Sequence, residues 1–185
     1  MKSNVLIKGK LIYLRPPTEK DVYGNWWTWL NDAEVTRNMN KGYDGNTAEK
    51  QMQFFKSMEN SKTDCVLAVC TLNGDQHIGT TAIHQIREEN NRLTGNFGIL
   101  IGEKEFWGKG IGSEVWELMV KESFESLGLQ TIITKIFSTN IPSLKIAEKI
   151  GFKIIGTKDN EFEKDGQPIK RYVLQLNKED YEGSL

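Results

Sequence analysis

The segment Glu103-Lys104-Glu105-Phe106-Trp107-Gly108-Lys109-Gly110-Ile111-Gly112-Ser113 decides the fold of this chain. It joins two patterns: the apolar run 97–101 is typical of a strand, and the apolar residues of 115–127 recur at helical spacing. A glycine-rich junction between a strand and a helix leaves backbone N–H groups without partners at the positive end of the helix dipole. The segment therefore predicts a binding site for a phosphate group.

Two common phosphate-binding loops are excluded by spacing. A P-loop requires G-x-x-x-x-G-K-(S/T), which does not occur in the chain. A Rossmann fingerprint requires G-x-G-x-x-G and an acidic residue about 20 positions further on. Here the third glycine, Gly112, comes one position too early, and the next predicted strand ends in Phe137-Ser138-Thr139 without an acid.

Length and composition favour one globular domain spanning residues 1–185. The 24 basic and 25 acidic residues give no electrostatic preference for nucleic acid or anionic lipid, so neither is expected as a partner. Cys65 and Cys70 are five positions apart in one predicted strand and are expected to be reduced thiols near the core. Because no signal peptide or membrane-spanning run is evident, we expect a cytoplasmic protein.

Periodicity and turn residues predict elements in the order β, α, α, β, β, β, α, β, α, β, β. Residues 5–15 are predicted to form a short strand pair broken at Gly9, and Asn73-Gly74-Asp75 marks the strongest hairpin. In the first helix, Trp26 and Trp29 are expected in the core, with Trp27 over a groove; the alternative is that these tryptophans stack on a substrate. The polar segment 31–46 is expected to be a loop.

Two motifs resemble the GNAT superfamily of acyl-CoA N-acyltransferases. The first is Trp107-Gly108-Lys109-Gly110-Ile111-Gly112, which is similar to the family's pyrophosphate loop, (Q/R)-x-x-G-x-(G/A). Tryptophan at its first position resembles the branch that contains ribosomal-protein alanine acetyltransferases. The second motif is the segment 140–152, similar to the family pattern N-x-x-(S/A)-x-x-x-x-x-x-x-G-F.

This resemblance implies an α/β (α+β) GNAT fold, with a mixed, mostly antiparallel sheet of about six to seven strands flanked by about four helices. It also implies acetyl-CoA as cosubstrate and no metal. The loop amides would hold the diphosphate, the strand before the loop would pair with the pantetheine arm, and Asn140 would reach the arm's amides. Lys109 either adds charge at the diphosphate or remains a solvated surface lysine. The implied cofactor-binding residues are Ile99, Leu100, Ile101, Trp107, Gly108, Lys109, Gly110, Ile111, Gly112, Ser113, Asn140, Ser143 and Ala147.

Catalytic groups are less well defined by the sequence. Many family members carry a tyrosine acid seven residues after the asparagine, but Ala147 stands there in this chain. His84 is a candidate base, because imidazoles suit proton transfer near neutral pH, and it is expected to share a sheet face with Ala82 and Ile86. Ser138 is a second candidate, placed to hold a water. Other polar positions are poorer candidates: Asn96 is an amide, and Glu88, Glu103 and Glu105 are expected to be solvated.

The implied reaction is direct attack of a primary amine on the thioester, since no Cys-His or Ser-His pair indicates an acyl-enzyme. A small-molecule or peptide amine is the expected partner: a protein N-terminus, a polyamine or an amino sugar. The segment 29–36 resembles one found in family members that act on amino sugars. Two alternatives stay open, an acyl-CoA-binding module with weak or no turnover and a different nucleotide-binding α/β domain. A homodimer is also left open.

Overall fold

A mixed sheet of eight strands organises the computed structural model, which describes residues 6–39, 45–159, 163–164 and 166–183. The strands are β1 (Ile7–Lys8), β2 (Ile12–Arg15), β3 (Cys65–Thr71), β4 (His77–Glu89), β5 (Arg92–Ile101), β6 (Thr131–Phe137), β7 (Lys153–Lys158), β8 (Glu163–Lys164), β9 (Gln167–Pro168) and β10 (Arg171–Asn177). The helical elements are α1 (Glu19–Asp21), a π-helical turn (Val22–Trp26), α2 (Trp27–Trp29), α3 (Ala33–Thr36), α4 (Ala48–Glu59), a 3-10 turn (Lys104–Phe106), α5 (Ile111–Glu125), α6 (Ile141–Ile150) and α7 (Lys178–Glu182).

The sheet order is β1-β2-β3-β4-β5-β6-β10-β7, and β8 and β9 pair separately. Only β5 and β6 run parallel among these pairs; the other neighbours are antiparallel. The predicted fold class is confirmed, with one strand more than expected. The strand pair predicted over residues 5–15 is β1 and β2: the chain turns at Gly9, whose N–H donates to the Ile12 carbonyl at 2.9 Å, and Ile7 pairs with Leu14.

The sheet separates two hydrophobic cores. The larger core contains the apolar faces of α5 and α6, and Trp116 fills it between the rings of Phe97 and Phe152, at centroid distances of 4.4 and 5.4 Å. The smaller core lies under the first helical segments and α4. Trp26 and Trp29 are buried there, with 3% and 4% of their surface exposed, which confirms their predicted core positions.

The predicted loop 31–46 is wrong in one part. Residues Ala33–Thr36 form helix α3, which begins at Asp32 because its carboxylate accepts hydrogen bonds from the amides of Glu34 and Val35, at 2.8 and 3.3 Å. A helix of one turn is too short to show a hydrophobic period, so only its cap could have indicated it. Residues 40–44 of the predicted loop lie outside the described residues.

Both cysteines are buried thiols that form no disulfide, as the sequence predicts. Burial raises the pKa of the Cys70 thiol to about 11, which keeps it protonated at neutral pH. Over the described residues, no helix has the length and apolar character needed to cross a membrane.

A buried polar cluster joins β2, α1 and β4. Arg15 makes two hydrogen bonds to the Asp21 carboxylate, at 2.7 and 2.8 Å, and Nδ1 of His77 lies 3.5 Å from the same group. Burial alone would raise the pKa of Asp21, but its hydrogen bonds with Arg15 contribute to a net lowering. Burial lowers the pKa of His77, against the opposing charge of Asp21. The imidazole is therefore buried in its neutral form.

This cluster predicts a pH-dependent stability. Between the lowered folded-state pKa of His77 and the unfolded value near 6.5, the unfolded chain binds more protons, so the free energy of unfolding should fall as pH falls below about 6.5. Urea titrations of the wild type and of His77→Gln at pH 7.5 and 5.5 measure this contribution. We expect the wild type to lose more stability than the variant between the two pH values. Equal losses of stability in the wild type and the variant would contradict the contribution of His77.

Candidate active site

Strands β5 and β6 separate to form a wedge. Their parallel ladder has three pairs, ending at Asn96 with Ile133. At the next step the Thr134 hydroxyl, rather than a backbone amide, donates to the Phe97 carbonyl at 3.2 Å. Beyond this point neither strand pairs with the other within the described residues, although β5 continues to Ile101. The two strand ends therefore leave an open edge between them.

The backbone of Ile99 faces this wedge. The Phe97 carbonyl accepts a bond from β6, and the Ile101 carbonyl accepts one from the Trp107 indole at 2.8 Å, so both point away from β4. Because backbone polar groups alternate between the two sides of a strand, the N–H and C=O of Ile99 point the same way. The N–H and C=O of Ile99 are therefore positioned to pair with an extended ligand.

The glycine loop lies at the mouth of the wedge. Gly108 and Gly110 have φ values of +72° and +82°, a left-handed conformation that favours glycine. Gly110 caps α5 without a side-chain hydrogen bond, so the first amides of the helix, those of residues 111–113, have no intrahelical acceptor. A Cβ on Gly112 would come no closer than 3.9 Å to any neighbour, to Ile146. These open N–H groups suit an anion.

Helix α6 forms the other side of the wedge. It begins at Asn140, whose side chain accepts a hydrogen bond from the Ser143 amide at 3.4 Å, and Pro142 occupies its first turn. It ends at Gly151, which has a φ of +104°. The cap observed at Asn140 leaves its side-chain NH₂ as a further donor at the cavity.

A cavity of about 600 Å³ occupies the wedge. Ten of the sequence-predicted cofactor residues line it: Ile99, Leu100, Ile101, Trp107, Gly108, Gly110, Gly112, Ser113, Asn140 and Ser143. Three others do not. Lys109 lies with its Nζ 5.5 Å from the Phe106 ring centroid, and Ile111 and Ala147 are buried in the large core.

Trp107 supports the end of β5 from the loop. Its indole N–H occupies the Ile101 carbonyl, and Arg37 lies over its ring at 5.4 Å from the centroid. The tryptophan at the first position of the loop motif therefore acts as a brace for the strand. Arg37 also lines the cavity, a position that the sequence did not indicate.

Replacing Trp107 with phenylalanine should lower the free energy of unfolding by about 1 kcal/mol, because the Ile101 carbonyl loses its donor while the ring contacts remain. Urea unfolding measures this loss. Trp27→Phe is the control, since the indole N–H of Trp27, which is also half-buried, has no acceptor among the described residues. Equal effects of the two substitutions would show that the hydrogen bond is unimportant.

The first helical segments are fixed against the loop by Glu103. Its carboxylate accepts hydrogen bonds from the indole of Trp29 and the amide of Asn25, both at 2.9 Å. The expectation that Glu103 is solvated is therefore wrong. Trp29 also packs on Gly102, where an added Cβ would fall 1.9 Å from the indole ring.

A second cavity, of about 550 Å³, lies across β5 from the wedge. Ile99, Leu100 and Met39 line both cavities. The wall of the second cavity is formed by Trp26, Leu30, Asn46, Lys50, Gln51, Phe54, Val66, Thr80, Thr81, Ala82, His84 and Gly98. The two cavities therefore meet at the middle of β5.

His84 is the titratable group of β4 that lines this second cavity. Its Nδ1 lies 2.8 Å from Oδ1 of Asp64, a contact that the sequence did not suggest. The prediction that His84 shares a sheet face with Ile86 is wrong, because the β4–β5 register shifts after His84 and Gln85 has a φ of +54°. Ile86 instead joins the large core.

The remaining catalytic candidates lie elsewhere. Ser138 follows β6, its amide donates to the Lys170 carbonyl at 2.8 Å, and it lines neither cavity. Asn96 donates from its side chain to Gln85 at 2.8 Å. Glu88 and Glu105 are exposed, as expected. Of the predicted catalytic residues, the structure brings only His84 to a cavity wall.

Comparison with known proteins agrees with this geometry. Residues 12–153 match the family model described as "Acetyltransferase (GNAT) domain". The chain is 28% identical over 167 residues to the uncharacterized N-acetyltransferase p20 of Bacillus licheniformis, which covers 89% of this chain and 90% of the relative. It is 25% identical over 166 residues to the human alpha/beta-tubulin-N-acetyltransferase 9, covering 85% of this chain and 79% of the relative.

A solved structure has the same fold at low sequence identity. The spermidine N-acetyltransferase from Vibrio cholerae, in complex with CoA and spermine, aligns with a TM-score of 0.83 and 18% identity, covering 92% of this chain and 98% of that chain. The family model spans the separated strands and the glycine loop, and it ends just after α6. The resemblance inferred from the two motifs is confirmed. The chain therefore belongs to the GNAT family and is an acetyltransferase.

Proposed function

We propose that this enzyme transfers the acetyl group of acetyl-CoA to a primary amine by direct attack of the amine on the thioester. The observation that carries the proposal is the meeting of two cavities at Ile99 and Leu100. One cavity has open amides at a helix N-terminus, and the other has a histidine in its wall. A thioester at the middle of β5 would be accessible to an amine from the second cavity.

The wedge fits coenzyme A in the chemistry of its donors. The diphosphate matches the open amides of residues 111–113. The pantetheine arm carries amides, and the C=O of Ile99 and the side chain of Asn140 offer groups to pair with them. The Ile99 N–H also suits a thioester oxygen as charge develops there. Roles for Lys109, Ile111 and Ala147 stay predictions, since their side chains do not line the cavity.

Proton transfer falls to His84 in this proposal. An amine must lose a proton before or during attack. A base that lines the second cavity, here called the acceptor cavity, can accept this proton. The new N–C bond forms as the C–S bond breaks, and the coenzyme leaves as a thiolate. A thiol of ordinary pKa, near 8.5, can leave without an acid, so alanine at position 147, in place of a tyrosine, is compatible with turnover.

The charges of the second cavity favour an acceptor that is not a polycation. None of its described lining residues is an aspartate or a glutamate, and Lys50 contributes a positive charge. A polyamine would keep further ammonium groups charged beside this wall, where they would lack partners. We therefore favour an amine on a neutral or anionic carrier, either a peptide N-terminus or an amino sugar. The aromatic corner of Trp26 and Phe54, whose centroids are 6.1 Å apart, suits the flat face of such a carrier.

Thioester cleavage with a panel of amines tests the proposal. The panel comprises spermidine, an alanyl peptide, glucosamine and a sugar-nucleotide amine, with product mass as the readout. Turnover of the peptide or of either sugar amine, exceeding that of spermidine, is the expected result. Tight CoA binding without turnover of any amine would support the alternative of a binding module, which the alanine at position 147 and the amide of Asn96 favour.

The proposed homodimer has support from one surface. Ile154 and Ile155 of the edge strand β7 are 56% and 55% exposed. Such an edge suits pairing with a second copy of the chain. Light scattering after size exclusion separates a dimer of this 21.1 kDa chain from a monomer.

A further inference from the structure

We infer that Asp64 is a positioning residue for catalysis, which holds the His84 ring so that Nε2 faces the acceptor cavity. The inference rests on the proposed role of His84 as the base. Its structural basis is the 2.8 Å contact between the Asp64 carboxylate and His84 Nδ1, together with the position of His84 in the cavity wall.

The contact determines which nitrogen is available to a substrate. A carboxylate is an acceptor only, so Nδ1 of a neutral His84 ring must carry the hydrogen that it donates to Asp64. Nε2 then carries the lone pair, which is the form that a general base requires. When Nε2 takes a proton from the amine, the positive charge that develops on the ring lies beside the Asp64 carboxylate. The arrangement therefore supports both the orientation and the charge of the base.

Asp64 is itself held in place. It accepts hydrogen bonds from the hydroxyls of Ser61 and Thr63, at 2.5 and 3.1 Å, and from the Gln85 amide at 3.3 Å. Burial alone would raise its pKa, but hydrogen bonds from Ser61 and His84 contribute to a net lowering, so the carboxylate is charged at neutral pH. Its side chain is 16% exposed, whereas that of His84 is 41% exposed. Asp64, the more buried of the two side chains, is therefore the one whose position is fixed by its surroundings, and it holds the His84 ring.

A bulge in β4 makes this contact possible. The positive φ of Gln85 turns the strand after His84, and the Gln85 amide reaches Asp64. The bulge is anchored on two sides, because the Ile86 amide donates to the Thr63 carbonyl at 2.7 Å and Asn96 donates to the Gln85 side chain at 2.8 Å. Bulges re-aim side chains at active sites, and this one re-aims His84 toward Asp64.

The test is the effect of Asp64→Asn on kcat in two backgrounds. In the wild type we expect kcat to fall about tenfold to 100-fold, less than the roughly 100-fold to 10,000-fold that a positioned base itself contributes. The KM for acetyl-CoA should stay unchanged, because Asp64 does not line the coenzyme cavity. In a His84→Ala background the same substitution should have no further effect on kcat, since there is no ring left to position.

Controls separate positioning from folding. Asp159→Asn removes an exposed aspartate that pairs with Lys170 at 3.6 Å, and it should leave kcat unchanged. Asp64→Glu keeps the charge and should retain more activity than Asp64→Asn. Thermal unfolding of each variant shows whether the fold persists. If Asp64→Asn does not fold, the kcat of Asp64→Glu is compared with that of Asp64→Ser instead. A higher kcat for Asp64→Glu is then the expected result.

Two results would overturn the inference. One is an equal loss of kcat from Asp64→Asn with and without His84, and the other is a wild-type kcat in the Asp64 variant. A wild-type kcat in His84→Ala would instead remove the base from the proposed function. The two failures are therefore distinguishable.

Discussion

Gly112→Asp is expected to weaken CoA binding about 100-fold while leaving the fold intact. A Cβ at this position has room, since its nearest neighbour would be Ile146 at 3.9 Å, and the position lines the wedge. A carboxylate in the first turn of α5 favours the helix dipole. It would also face the diphosphate, and like charges about 4 Å apart repel by about 1 to 4 kcal/mol, depending on the local dielectric.

The matched control for this charge is Gly112→Asn, which has nearly the same shape without the charge. Its CoA affinity should stay within about fivefold of the wild type, since its cost is mainly steric. Calorimetry of CoA binding measures both variants, and thermal unfolding checks their folds. Equal affinities of the aspartate and asparagine variants would show that no anion lies at this end of α5.

His84→Ala is expected to lower kcat about 100-fold to 1000-fold for a strongly basic amine, without changing CoA affinity. General bases contribute effects of this size, and His84 lies in the acceptor cavity rather than in the wedge. The loss should be smaller for an α-amine, whose pKa is near 7.7 to 8, than for an alkyl amine near 10.4, because more of the α-amine is already deprotonated.

The measurement is the steady-state kcat of the wild type and of His84→Ala at pH 8, once with an alanyl peptide and once with an alkyl amine. His77→Ala tests the other histidine, which lies outside both cavities. A loss that does not depend on the basicity of the amine would indicate that His84 binds the acceptor. In that case another group or a water chain removes the proton.

The junction at the centre of the fold could be predicted because its signals are local. The glycines at 108, 110 and 112 follow one another closely, and the apolar period of α5 begins directly after them. The cap of α6 at Asn140 and its stop at Gly151 are also local, and both are observed. Local signals were therefore sufficient for the loop and the two helices, whereas the open edge of β5 was implied only by the family resemblance.

The acceptor side could not be predicted in the same way. Asp64 and His84 are 20 residues apart, and their contact depends on a bulge at a glutamine with positive φ, which strand alternation does not anticipate. The partners of Glu103, namely Trp29 and Asn25, are more than 70 positions away. Such contacts depend on the packing of the first helices against the sheet, which a local pattern does not encode.

In the proposed reaction the two cavities have different roles: the wedge binds the coenzyme and the acceptor cavity binds the amine. The wedge is built from the strand edge, the glycine loop and α6, elements whose backbone provides the donors. The acceptor cavity is built mainly from side chains of the first helices, α4 and β4. The coenzyme side of the site therefore depends on backbone donors, whereas the acceptor side depends on side chains such as Lys50.

Calorimetry of CoA and of pantetheine shows whether the open amides of residues 111–113 hold the diphosphate of coenzyme A. Pantetheine has the arm but lacks the diphosphate and the nucleotide. We expect CoA to bind and pantetheine to bind at least about 100-fold more weakly, a difference of about 2.7 kcal/mol. Equal affinities, or no affinity for CoA, would contradict it.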